Sequence, residues 1–236
     1  MLEIEGRAVR VDVRRNARAR RYTLRLPASG GDPVLTIPER GTFRTARTFA
    51  EDHRGWLAER MRKMPAIQPF CAGATVPLRG IPHLIEHRPA TRGTVTQLAA
   101  VDGPCLVVSG QEPHIARRLT DFLKKEARAD LTQAVERHAA ALNRDFPRAR
   151  RPTGISIRDT RSRWGSCTAK GKLNFSWRLV LAPAFVLDYV AAHEVAHLVE
   201  MNHSARFWAV TEGLFAETEK AREWLRRYGS ELHSYG

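Results

Sequence analysis

Two histidines and a glutamate form the motif with the clearest chemical potential in this 236-residue chain. The sequence His193-Glu194-Val195-Ala196-His197 places two imidazoles four residues apart, and on a helix such residues lie on one face, one turn apart. Two imidazoles in that position can bind one metal ion, and zinc is the candidate because it prefers nitrogen ligands. Glu194 lies at the edge of that face, where it can act on a water molecule as a general base without binding the metal. The alternative interpretation is a pair of core histidines that have hydrogen-bond partners.

A catalytic zinc usually has three protein ligands, so the sequence should supply one more. His203 is the best candidate because it follows His197 by six residues, just past the expected end of the helix. A carboxylate of the next helix, Glu212 or Glu217, is the alternative third ligand.

The elements around the motif are a buried helix and two strands. The apolar stretch from Pro183 to Met201 predicts the helix, since proline is tolerated at a helix start. Residues 154–160 and 172–182 predict the strands, and residues 161–171 predict a loop between them.

The rest of the chain predicts two parts of different character. Short alternating apolar segments up to about residue 108 are typical of half-buried strands, with one helix over residues 42–63. A long helical pattern of about 30 residues follows Pro113. We therefore predict an α+β fold, with a β-rich N-terminal part (residues 1–110, one helix) and a helical, mixed C-terminal part (residues 111–236).

The net charge of +14, from 39 basic and 25 acidic residues, indicates an anionic partner such as nucleic acid, a nucleotide or an acidic surface. The alternative is a compositional bias, since the basic residues are mostly arginine. Two arginine clusters stand out. The first fits a solvated strand edge slightly better than a phosphate site, and it comprises Arg14, Arg15, Arg18, Arg20 and Arg21. The second approaches the candidate site, and it comprises Arg148, Arg150, Arg151, Arg158, Arg161 and Arg163.

Several classes of protein are excluded by composition. No run of about 18 apolar residues exists, so we expect neither a transmembrane helix nor a membrane partner. The first residues contain no apolar signal core, which predicts a cytoplasmic protein. The three cysteines are too few and too far apart for a disulfide framework.

The stretch RSRWGSC…GKLNFSWRLVLAP…VLDYVAAHEVAHLVEMNHSARFW resembles the YgjP-like metallopeptidase domain, which is related to SprT-like proteases and more distantly to Wss-type and Spartan-type proteases. The basic segment RRNARARRYTLRL is also similar to the opening of that family. The resemblance implies a minimal zincin-like catalytic domain, with a small sheet and an active-site helix. It also implies one Zn²⁺ per chain, held by His193, His197 and His203, with Glu194 as the general base.

We therefore predict a zinc-dependent hydrolase, and specifically a metallopeptidase that acts on a polypeptide substrate by metal-assisted hydrolysis. A strand near the active-site helix could bind an extended substrate at the sheet edge. The residues that could line such a cleft are Arg161, Arg163, Trp164 and Ser166, although a packed tryptophan beside a glycine turn is an equal alternative.

Two other functions stay open at this point. The arginines near the candidate cleft suit a metal-dependent hydrolase of a nucleoside triphosphate, because arginine and metal together stabilise phosphoryl charge. The basic patches suit a nucleic-acid-binding module with a structural zinc. Against the second function, a structural zinc usually has four protein ligands, and only three are convincing here.

Overall fold

The chain forms two units, Met1–Ile67 and Gln68–Gly236, and each has its own cluster of buried apolar side chains. The computed structural model describes residues 1–27, 31–62, 64–101, 103–160 and 162–236.

The first unit contains a hairpin and a three-stranded sheet. The hairpin turns at Glu5 and Gly6, whose positive φ angles of 50° and 75° suit a tight turn between two short strands. Its strands are β1 (Leu2–Ile4) and β2 (Arg7–Val9). The sheet has the order β3-β5-β4, and its strands are β3 (Asp12–Asn16), β4 (Thr23–Arg25) and β5 (Val34–Pro38). In β5 the side chains of Leu35 and Ile37 are buried and their neighbours are half-buried, which is the predicted alternation.

The single helix predicted over residues 42–63 is two helices, α1 (Phe43–Asp52) and α2 (Arg54–Arg62). The break lies at His53. Its backbone N–H donates to the carbonyl of Phe49, and its ring Nδ1 lies 2.8 Å from the same oxygen. A side chain that competes for a backbone carbonyl in this way favours the end of a helix.

The second unit begins with a four-stranded sheet that packs on a long helix, α3 (Ile115–Asp145). The sheet has the order β6-β7-β9-β8, and its strands are β6 (Thr75–Leu78), β7 (Ile81–His87), β8 (Val95–Ala100) and β9 (Gly103–Val108). Val76 and Leu106 of the sheet share one buried cluster with Leu119 and Leu123 of α3. The units therefore differ from the predicted division into residues 1–110 and 111–236, because this sheet and α3 bury each other's apolar faces.

A three-stranded sheet follows α3, with the order β10-β12-β11. Its strands are β10 (Gly154–Arg158), β11 (Gly165–Cys167) and β12 (Lys172–Ser176). β12 runs parallel to β10 and antiparallel to β11. Strand β11 lies inside the segment for which a loop was predicted. The predicted strand over residues 172–182 ends at Ser176, and a 3-10 helix continues over Trp177–Leu181.

Three helices complete the second unit: α4 (Ala184–Ala196), α5 (Ala205–Leu214) and α6 (Thr218–Tyr228). Helix α4 is buried on nearly every side, as its apolar sequence predicts. It ends at Ala196 and not at the expected Met201, because the N–H groups of Leu198 and Val199 donate to carbonyls three residues back and tighten the chain into turns. The α+β class with a β-rich N-terminal part is confirmed. Within the described residues, no helix has both the length and the apolar character that crossing a bilayer requires.

Candidate metal centre

Three histidines that are separated in sequence converge at the end of α4. His193 and His197 lie one turn apart at the C-terminal end of this helix, and His203 lies in the connection to α5. Their potential ligand atoms all lie within 4.8 Å of one another, and the Nε2 atoms of His193 and His203 are 3.1 Å apart. The helical spacing and the return of the chain after α4 therefore bring together the three residues that the sequence singled out.

The first turn of α5 holds His203 against α4. Ser204 caps α5 by accepting a hydrogen bond from the Phe207 N–H. The buried Phe207 ring stacks on His197, with centroids 4.5 Å apart, and meets His203 edge-on at 4.7 Å. Trp208 stacks on His203, with ring centroids 5.8 Å apart. Aromatic packing thus restricts the orientation of two of the three imidazoles.

The Nδ1 atoms of the two helical histidines each face a polar group of the protein. Nδ1 of His197 lies 2.9 Å from the Glu200 carbonyl oxygen, which can only accept, so this nitrogen carries the proton and Nε2 carries the lone pair. The Tyr189 hydroxyl lies 3.4 Å from Nδ1 of His193, which leaves Nε2 of that ring to face His203. Such partners orient metal-binding histidines in known sites.

Burial keeps the helical imidazoles neutral. Burial, together with the neighbouring His197, His203 and Arg222, lowers the pKa of His193 to about 3. Burial also lowers the pKa of His197. A neutral imidazole offers a lone pair, and three such donors are a ligand set of catalytic zinc. The residues present therefore fit a divalent metal such as zinc.

Glu194 presents a buried carboxylate beside the three imidazoles. Glu194 is only 4% exposed. Burial raises the pKa of its carboxyl group to about 8 against the opposing effect of Arg163. Its Oε2 atom has no hydrogen-bond partner within the part of the chain that the structure describes. A buried, unpartnered carboxylate can exchange a proton near neutral pH, which is the property of a general base.

Strand β11 approaches this carboxylate so closely that any side chain at Gly165 would displace it. A Cβ atom placed on Gly165 would lie far inside van der Waals contact of Oε1 of Glu194. β11 is also an edge strand, since β12 is the one described strand of the sheet that pairs with it. The backbone of an edge strand therefore passes directly over the candidate general base.

The predicted cleft residues have different environments. Arg163 is exposed and close enough to the buried glutamate to lower its pKa. Trp164 stacks on His233 at 4.9 Å and so packs against the C-terminal segment. Ser166 is half-buried on β11, and Arg161 lies outside the described residues. A role of these residues in substrate binding stays a prediction.

The alternative third ligands do not join the histidines. Among the described residues, the group of ligand atoms that converges here contains neither Glu212 nor Glu217, and Glu217 pairs with Lys220 at 2.7 Å. The sequence reasoning missed Tyr189 and Gly165. Tyr189 precedes His193 by four residues, so helical spacing could have indicated it. The contact of Gly165 is tertiary and leaves no local signal.

Comparison with protein-family models matches residues 20–228 of the chain to the family described as YgjP-like, metallopeptidase domain. No curated protein and no solved structure matches the chain.

Proposed function

The chain belongs to the YgjP-like metallopeptidase family, and we propose that it is a zinc-dependent peptidase with Glu194 as its general base. One observation carries this proposal: three imidazoles, two of them kept neutral by burial, converge beside a buried carboxylate. We assign the metal to His193, His197 and His203.

When bound, zinc would polarise the scissile carbonyl and acidify the attacking water. Glu194 would take a proton from that water on a carboxylate oxygen and later return it to the leaving amine, so that the amide bond breaks and one water is consumed. Gly165 leaves the space in which the carboxylate sits. The edge of β11 that no described strand pairs with offers backbone groups to which an extended substrate can add as a further strand.

The substitution Glu194→Gln tests this assignment. It preserves the shape of the side chain but removes its basicity, so we expect zinc content to stay the same and kcat on unfolded casein to fall at least about a hundredfold. Glu212→Gln is the matched control, since Glu212 is exposed on α5 and lies outside the histidine group. Near-wild-type turnover by Glu194→Gln would show that this carboxylate is not the base.

A second candidate function is hydrolysis of a nucleoside triphosphate. Its specific support is a pair of guanidinium groups beside the site, because Arg163 acts on the pKa of Glu194 and Arg222 acts on that of His193. Arg222 is held over the Trp208 ring at 4.4 Å. Release of phosphate or pyrophosphate from a nucleotide, without cleavage of casein, would favour this function over the peptidase.

Nucleic-acid binding is the third proposal, and the net charge of +14 is its support. A salt-dependent affinity for DNA or RNA without turnover of peptide or nucleotide would favour it.

A further inference from the structure

A groove of about 500 Å³ lies between the segment that follows α3 and the end of α4. Its walls combine apolar and basic side chains. The residues that matter most for its chemistry are Phe146, Arg148, Arg150, Leu198, Val199 and Arg206.

The groove is built from the same segments as the metal centre. Leu198 and Val199 directly follow His197, and Arg206 lies in the first turn of α5, three residues after His203. The next residue of α5 is the phenylalanine whose ring stacks on the His197 imidazole. The walls of the groove therefore continue directly into the segments that carry two of the three histidines.

Arg150 links the groove to strand β11. Burial and the charge of Glu194 raise the pKa of the Cys167 thiol on this strand to about 11 against the opposing effect of Arg150, so both charged groups lie near the thiol. Arg150 also donates a hydrogen bond of 2.6 Å to the Ala169 carbonyl, which fixes its guanidinium beside the loop after β11. The basic wall of the groove thus extends toward the general base.

The basic charge of the groove has no acidic partner among the residues that the structure describes. It is lined by three arginines, and no aspartate or glutamate is among its lining residues. Within the described parts of the chain, neither Arg148 nor Arg206 forms an ion pair with a carboxylate. Guanidinium groups form charge-assisted, often bidentate hydrogen bonds with carboxylates, so the groove is complementary to an anionic group.

We propose that this groove binds acidic side chains of the polypeptide substrate, next to the segment that is cleaved. The proposal rests on the proposed peptidase function and adds a substrate class to it. A glutamate flanked by apolar residues fits both features of the groove, because its carboxylate can meet the arginines while its neighbours cover Phe146, Leu198 and Val199. A nucleobase fits poorly, since its polar edge would face apolar walls without hydrogen-bond partners.

Binding of two matched peptides tests the proposal without any cleavage. We would measure fluorescence anisotropy with the full-length Glu194→Gln protein, using a labelled peptide of alternating glutamate and leucine and the same peptide with glutamine in place of glutamate. At low salt the acidic peptide should bind about tenfold more tightly. Arg148→Gln/Arg206→Gln should reduce that preference to about twofold or less. The control variant Arg92→Gln/Lys125→Gln should keep the preference for the acidic peptide. Its substitutions remove the same charge, but both residues are exposed and lie outside the groove.

Three results would overturn the proposal. Equal affinities for the two peptides would show that the groove does not select acidic side chains. An equal loss in the control variant would assign the preference to the overall charge of the protein. Displacement of the acidic peptide by ATP at lower concentration, through the same two arginines, would assign the groove to phosphate.

Cleavage by the wild-type protein separates this proposal from the proposed function. If the wild type cleaves no peptide but arginine-dependent binding persists, the peptidase assignment fails and the acidic-peptide site stands. If it cleaves both peptides equally well and binds them equally, only the groove proposal fails.

Discussion

At the scale of single residues, the relation between Gly165 and Glu194 is the strictest in the candidate site. The carboxylate is buried and its position is limited by a backbone atom, not by a flexible side chain. A backbone cannot move aside without disturbing the pairing of β11 with β12. The carboxylate therefore has to move if a side chain is introduced at this position.

The substitution Gly165→Ala should lower kcat at least about tenfold while the zinc content stays near that of the wild type. The reason is that the new Cβ displaces the carboxylate from its position near the imidazoles, and small displacements of a catalytic group have large effects on rate. Steady-state kinetics and elemental analysis of the same preparations measure both quantities. Gly213→Ala on α5 is the control, because a Cβ at that position meets no atom within 4 Å. Equal kcat values for the two variants would contradict the proposed tight contact.

Single residues were predictable to the extent that their spacing is local. The pair His193 and His197 follows from helical periodicity, and His203 follows from the need for a third ligand close to the helix end. Gly165 could not be predicted, because its constraint comes from a helix that begins nineteen residues later in the sequence.

At the scale of elements, α4 is tied to α3 through a charged group. Asp188 on α4 accepts hydrogen bonds from His138 Nε2 at 2.7 Å and from Arg137 Nη2 at 2.8 Å, both on α3. Burial by itself would raise the pKa of Asp188, but these hydrogen bonds and the charges of their donors lower it below the ordinary value of 3.8. The carboxylate therefore stabilises the packing of the two helices in its ionised form.

We expect Asp188→Asn to lower the free energy of unfolding by about 1–2 kcal/mol near pH 7, since hydrogen bonds to a charged acceptor are lost. A lowered pKa in the folded state means that this stabilisation is present above the ordinary pKa of aspartate and is lost as the pH falls through the folded value. The difference in unfolding free energy between the wild type and Asp188→Asn should therefore shrink below about pH 4. Urea denaturation near pH 7 and again below about pH 4 would measure it.

Asp121→Asn serves as the comparison for this prediction. Asp121 is exposed, and its Oδ2 lies 3.6 Å from Nη1 of Arg117. Its replacement should therefore change the free energy of unfolding by less than about 0.5 kcal/mol. If the wild type and Asp188→Asn differ in unfolding free energy by the same amount at acidic pH as near pH 7, the ionised carboxylate has no role in this stabilisation.

The elements themselves were predicted best where the apolar pattern is long. The buried face of α3 and the start of α4 directly after Pro183 agree with the sequence. The break at His53 and strand β11 were missed, because a single competing side chain and a three-residue strand leave little periodicity to detect. Strand β11 is nevertheless the element whose backbone lies against the Glu194 carboxylate.

At the scale of the whole molecule, the division after Ile67 assigns the β6–β9 sheet to the unit that carries the histidines. The change from strand patterns to helical patterns near residue 110 suggested another boundary, but a sequence pattern does not show which apolar faces bury each other. Here the sheet and α3 do so.

Two truncated chains test this division. Residues 68–236 should unfold cooperatively and bind zinc, because the buried cluster of the second unit is complete. Residues 111–236 should show no cooperative thermal transition, since Leu119 and Leu123 would lose the sheet against which they pack. Circular dichroism on heating measures both. A cooperative transition for the shorter chain, matching that of the longer one, would support the boundary near residue 110.

The central claim is that His193, His197 and His203 hold one divalent metal, and the metal content of the purified protein tests it most directly. Elemental mass spectrometry should find about one zinc per wild-type chain, much less in His203→Ala, and an unchanged amount in His114→Ala, whose imidazole is exposed and outside the group. Absence of bound zinc in the wild type even after incubation with the metal, or full occupancy in His203→Ala, would contradict the claim.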